Sequence, residues 1–179
     1  MSNLDKNQME VWMQGPIASI PAILQPVAHA LLQVDEDVQN LIKEDLQAYL
    51  WIKPFEMASI AFHIQHIAGV VDRMVTYSKE ESLTEDQFEY LKTEGIQNSN
   101  LNVELLKNQL TLVIQDTLNY LKTINPDSLT EERYLGRKRI PTTQIGLLFH
   151  AAEHAQRHYG QLLVTSKVIK ELFLNGSIH

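Results

Sequence analysis

The 179-residue chain reads as an all-α protein: a four-helix bundle with a short additional helix between the second and third long helices. Three observations predict this. Four long stretches repeat apolar residues at three- and four-residue steps, the period of one helix face. No β-hairpin and no alternation of strand with helix is evident. Glycine and proline number only 7 and 6, few for a sandwich of many turns. Four amphipathic helices bury their stripes most simply against one another, so a single domain over residues 1–179 is expected. Residues 1–15 are expected to form a flexible or loosely packed N-terminal segment.

The first stretch spans about Ile17 to Ile42, with Val27, Leu31, Val34, Val38 and Leu41 in step. Pro21 and Pro26 stand near its start, so the helix proper is placed from about Gln25. Lys53-Pro54 stops any helix before the second stretch, about Glu56 to Ser78, whose buried face is marked by Ile60, Ile64, Ile67, Val71 and Met74. Next, Ser82 with Glu85, or Thr84 with Gln87, forms a capping box that opens a short helix ended by Gly95. The third stretch spans about Asn102 to Ile124, with Leu105, Leu106, Leu110, Val113, Thr117 and Leu121 in step. The segment NPDSLTEERYLGRKRIP is a loop, and the fourth stretch follows Pro141, with Thr142 or Thr143 as its N-cap. It runs to about Leu172, before Asn175-Gly176.

Composition excludes several functions. There is no cysteine, so disulfides, thiolate metal sites and a cysteine nucleophile are ruled out, and any thiol chemistry needs a thiol from outside. The formal charge of -7 argues against a nucleic-acid partner. No apolar run approaches the length of a membrane helix, so no membrane partner is expected. The N-terminus carries Asp5 and Glu10 and lacks a basic start followed by an apolar core, so no targeting signal is read and the cytoplasm is the expected location.

Chemistry concentrates in histidine. In LLFHAAEHAQRHYGQLL the rings of His150, His154 and His158 are spaced four apart. Each such step rotates about 40° around a helix, so the three share one face. Leu147, Ala151, Leu162 and Thr165 occupy the same sector, which makes it an inward face. In AFHIQHIAGVVDRM, His63 and His66 are three apart beside the apolar stripe. Two neighbouring helices can therefore supply three imidazoles to one divalent ion and leave a coordination position open. Spacing alone does not choose between His63 and His66. Imidazole donors suit Zn, Ni, Cu or Fe, so they leave the metal open, with Zn or Ni as the expectation. The competing reading is a set of hydrogen-bonded core or surface histidines, but five unpartnered rings on facing helices would be costly to bury.

The blocks SIAFHIQHIAGVVDRMVTY and RIPTTQIGLLFHAAEHAQRHYGQLL, in this order and separation, resemble the DinB superfamily, also described as DinB/YfiT-like. The resemblance implies a helical bundle holding one divalent ion on three histidines, which match His66, His154 and His158. Arg157 stands where many relatives carry a further histidine. His63 and His150 are then left as hydrogen-bond donors behind the ligands, pocket-lining groups or alternative ligands. The resemblance also implies a small-molecule substrate, a homodimer, and a metal-dependent thiol S-transferase that works with a low-molecular-weight thiol. The alternatives are a metal-dependent hydrolase, or a non-catalytic stress-response protein that binds a metal or small ligand.

Other features carry less. His150-Ala-Ala-Glu153-His154 spells HxxEH, a metalloprotease pattern that five common residues match easily by chance. Gly69 and Gly160 are expected to permit close helix packing. The basic run Arg133, Arg137, Lys138 and Arg139 reads as a solvated loop, or as an attractor for an anionic substrate. His29 is expected to be structural, and His179 to be disordered.

Overall fold

A computed structural model describes residues 9–175. Its long helices are α1 (Gln25–Leu41), α2 (Ile60–Ser78), α4 (Val103–Leu121) and α5 (Gln144–Ile169), with the short α3 (Glu85–Thr93) between α2 and α4. The helix α2 packs on α5 and α4, and α1 packs on the same two, so the four long helices close a bundle in which α1 and α2 lie diagonally opposite. The α2–α5 contact is the most extensive, and it positions the histidines. Leu31, Val34, Ile64, Ile67, Leu110, Ile114, Leu148 and Leu162 fill the space between the helices. Among the described residues, no helix is long and apolar enough to cross a membrane.

The helix starts follow local chemistry. The hydroxyls of Ser59 and Thr143 and the side-chain oxygen of Asn102 each accept a hydrogen bond from a free backbone N–H in the first turn of α2, α5 and α4. Thr84 and Gln87 form the reciprocal capping box of α3, which chooses that pair over Ser82 and Glu85. Only about one face of α1 and α4 is buried, whereas α2 is buried almost all round and also carries the buried polar side chains His63, Gln65 and Arg73. Such a helix is central to its domain, and its polar groups need partners inside the protein.

The segment read as a loop before α5 contains a small antiparallel hairpin, β1 (Glu132–Leu135) and β2 (Ile140–Thr143), with Glu132 opposite Thr143 and Leu135 opposite Ile140. Its turn places Gly136 at φ 65° and Arg139 at φ 48°. Strands of four residues, one of them holding Pro141, carry almost no alternation, so the sequence pattern hides them. The hairpin is held from outside itself. Arg133 is buried and its Nε donates to the Ser78 carbonyl at the end of α2 at 3.0 Å, a cation placed where a helix leaves its last carbonyls free. The basic run is thus not a freely solvated loop: the Arg137 and Arg139 guanidinium groups also lie over the rings of Phe88 and Tyr134.

The fourth long helix ends in a wider π turn, Lys170–Leu174, where Phe173 stacks on Tyr49. Near the other terminus, Val11–Gln14 form a 3-10 turn against α1, with Val11 buried and its N–H donated to the Gln33 side chain at 2.8 Å. The rest of the expected loose segment, residues 1–8, lies outside the described residues, as does His179. His29 bonds the Gly15 carbonyl through Nε2 at 3.1 Å and so serves packing, away from the other histidines.

Leu31 is fully buried on α1. Leu31→Ala is expected to lower unfolding free energy by about 2–5 kcal/mol, read as a lower urea midpoint with the helical far-UV signal of the folded state retained.

Candidate metal centre

The helical periods place the rings as the spacing requires. His63 and His66 leave adjacent turns of α2, and His150, His154 and His158 leave successive turns of the facing stretch of α5. The rings of His66 and His154 each lie 4.5 Å from that of His158, centroid to centroid, and 5.2 Å from each other. His66 Nε2 and His154 Nε2 are 3.0 Å apart. One ligand nitrogen from each of His66, His154 and His158 falls within 4.8 Å of the other two.

His66 is held by a partner that spacing could not reveal. Its Nδ1 donates to Glu94 Oε2 at 2.6 Å, and Arg73 Nη1 donates to Glu94 Oε1 at 2.6 Å. Glu94 closes α3, and its side chain is almost fully buried. The approach depends on Gly69. A Cβ there would sit 2.2 Å from Glu94 Oε1, 2.7 Å from Arg73 Nη1 and 2.9 Å from the Tyr90 ring, so any other residue would displace the pair. Gly95 follows at φ +76° and donates its N–H to Gln65 Oε1 on α2, which fixes the end of α3 against the site. A proton on His66 Nδ1, held by a carboxylate, leaves the lone pair on Nε2 directed at the other rings.

His63 and His150 occupy different surroundings. His63 is buried and meets His158 through their Nδ1 atoms at 3.2 Å, so it stands behind one ring of the group. His150 is half exposed, and its Nδ1 lies 2.7 Å from Glu153 Oε1. Ligand atoms of His150, Glu153 and His154 also fall within 4.8 Å of one another. That second group is a surface ion-pair cluster: Arg157 Nη2 donates to both Glu153 oxygens, at 2.8 and 3.0 Å. The HxxEH pattern thus leads to a salt bridge with Arg157. Arg157 also donates from Nη2 to His154 Nδ1 at 3.1 Å.

The donor set suits a divalent ion. Zinc–imidazole bonds of about 2.0–2.1 Å at tetrahedral angles put two nitrogens about 3.3 Å apart, close to the separation of His66 Nε2 and His154 Nε2. One adjustment is needed. With Arg157 donating to Nδ1, the His154 proton sits on Nε2 and is shared with His66 Nε2. Ligation through Nε2 would transfer that proton to Nδ1 and release Arg157, a half-exposed side chain free to swing. Gly160 departs from expectation: nothing lies within 4 Å of a Cβ built there, so it opens space beside the site instead of closing a helix contact.

Burial is the first cause of the electrostatics. It pushes His63, His154 and His158 down to about 4, and neighbouring rings, together with Arg157 for the latter two, add to the effect by repelling a second positive charge. The fold therefore keeps these rings neutral, the ligating form, at ordinary pH. Because the folded pKa lies below the unfolded value near 6.5, this stabilisation is fully present above about pH 6.5 and is lost as pH falls toward 4. Chelator-treated protein is accordingly expected to show a falling urea midpoint between pH 6.5 and 4. A flat profile in the wild type would contradict this electrostatic account.

Comparison with curated proteins finds no match. A family model, that of the DinB superfamily, matches residues 31–162. The matched span runs from α1 through the histidine stripe of α5 and covers most of the chain. The chain therefore belongs to the DinB superfamily.

Proposed function

We propose that His66, His154 and His158 hold one divalent transition metal, zinc or nickel, and that the protein uses it with a low-molecular-weight thiol in an S-transferase type of reaction on a small-molecule substrate. The observation that carries this reading is the convergence of three imidazole nitrogens from two helices within 4.8 Å. When bound, a divalent ion with an open position lowers the pKa of a coordinating thiol. The chain has no cysteine, so that thiol comes from outside. Glu94 holds the His66 ring in the ligating tautomer, and Arg73 holds Glu94. His63 braces His158 from behind.

Thiol chemistry is favoured over hydrolysis by the state of the two acids near the cluster. Glu94 is engaged by His66 and Arg73, and Glu153 by His150 and Arg157. A general base must reach the proton it removes, and both carboxylates are committed elsewhere. The reading includes a cytoplasmic protein able to form a homodimer; the lack of a readable targeting signal supports the first part and the family likeness alone the second.

Purified protein is expected to carry about one ion per chain by elemental analysis. His154→Ala and His158→Ala should each lose it, and full retention by both would refute the ligand assignment. Glu94→Gln should weaken metal affinity by about 10–100-fold, measured by competition with a chromophoric chelator. Addition of small cellular thiols to the cobalt-substituted protein should shift its visible absorption. An unchanged spectrum with every thiol tried would rule out the transferase reading while leaving metal binding intact.

A further inference from the structure

Beside the histidine cluster runs an open groove of about 530 Å³. Met57 and Ala58, just before α2, form one wall, and Gly160 and Val164 of α5 form the other. Its lining is largely apolar, with Gln161 and Thr165 as neutral polar members, yet two polar groups of the histidine cluster, His63 and Arg157, stand in it. Val164 is 53% exposed and presents its aliphatic side chain to the groove. Gly160 keeps its wall open, since a side chain there would meet no protein atom and would instead project into the space. The two walls are tied together by Thr165, whose hydroxyl donates to the Ala58 carbonyl at 3.4 Å.

The two polar groups are matched to an anion. Every hydrogen bond of Arg157 uses Nη2, which leaves Nε and Nη1 without a partner among the described residues. His63 uses Nδ1 toward His158, and its Nε2 has no partner among the described residues. With the His158 Nδ1 proton donated to His63 Nδ1, the remaining proton of His63 lies on Nε2, a donor into the groove. An apolar trough that ends in a guanidinium and an imidazole N–H fits a molecule with a hydrocarbon body and a carboxylate head.

We propose that this groove binds a small carboxylate-bearing apolar molecule, its hydrocarbon along Met57, Ala58, Gly160 and Val164 and its carboxylate on Arg157 and His63. Its identification as the substrate's seat rests on the metal–thiol reading above; the binding itself does not. The groove sets the substrate class by shape and charge: an amphiphilic monocarboxylate is admitted beside the histidine cluster.

Octanoate and octan-1-ol are suitable probes, titrated into the full-length protein as purified and again after chelation, by calorimetry or ligand-observed NMR. Octanoate is expected to bind in both preparations, about three- to fivefold more tightly than the alcohol, as a half-exposed ion pair allows. Gly160→Leu should reduce binding of both probes at least tenfold while metal content and helical signal stay unchanged. Arg157→Gln should bring octanoate down to the level of the alcohol. Undiminished octanoate binding by Gly160→Leu would overturn the proposal. So would binding that vanishes on chelation, because the carboxylate would then be held by the ion and not by the groove. Loss of the metal reading with these results intact would leave the groove standing as a carboxylate site, so the two failures are distinguishable.

Discussion

Everything at the site depends on the packing of α2 against α5. Those two helices share the largest interface in the bundle, and along it apolar residues such as Ile64, Ile67, Leu148 and Leu162 exclude water. The histidines lie at the edge of that interface. Burial of the apolar stripe stabilises the pair of helices by the hydrophobic effect, and the same burial brings imidazoles from separate elements within a few ångströms. Burial penalises the protonated rings, and the neighbouring imidazoles add repulsion, so the pKa of His63, His154 and His158 falls.

A cluster of this kind needs supports that hold each ring without saturating it. Glu94 and Arg73 meet that need for His66. A buried ion pair contributes little net stability, because desolvation offsets most of the attraction; its value here is positional. It fixes one tautomer and one ring orientation, and it docks the end of α3 onto α2 through the bare backbone of Gly69. On the other side Arg157 binds loosely at the surface, shared between Glu153 and His154. One ring is thus rigidly oriented, while another is gripped by a side chain that can let go.

Much of this was legible in the sequence. The apolar periods located all four long helices, and the Thr84–Gln87 box and Thr143 cap marked two starts. The histidine stripe of α5 was evident from its four-residue spacing. Much of what escaped depends on residues far apart in the chain. Glu94 is 28 residues from His66 and belongs to another helix. The hairpin of β1 and β2 is too short and too polar to announce itself, and its anchor, Arg133, reaches a carbonyl 55 residues away. Gly160 looked like a packing glycine because it lies close to the histidine stripe, but its own side of the helix faces open space.

Helix period and residue type are local properties, so the sequence by itself determined the all-helical architecture, the inward histidine faces and the need for any thiol to be external. Distances between elements are not local. Only the tertiary structure gives the two histidines of α2 different surroundings: His66 lies against His154 and His158 and bonds Glu94, while His63 bonds His158 alone among the histidines. The two residues lie three apart on one helix, close enough that spacing treats them alike, and both meet His158 of α5; it is the docking of α3, which brings Glu94 to His66, that sets them apart.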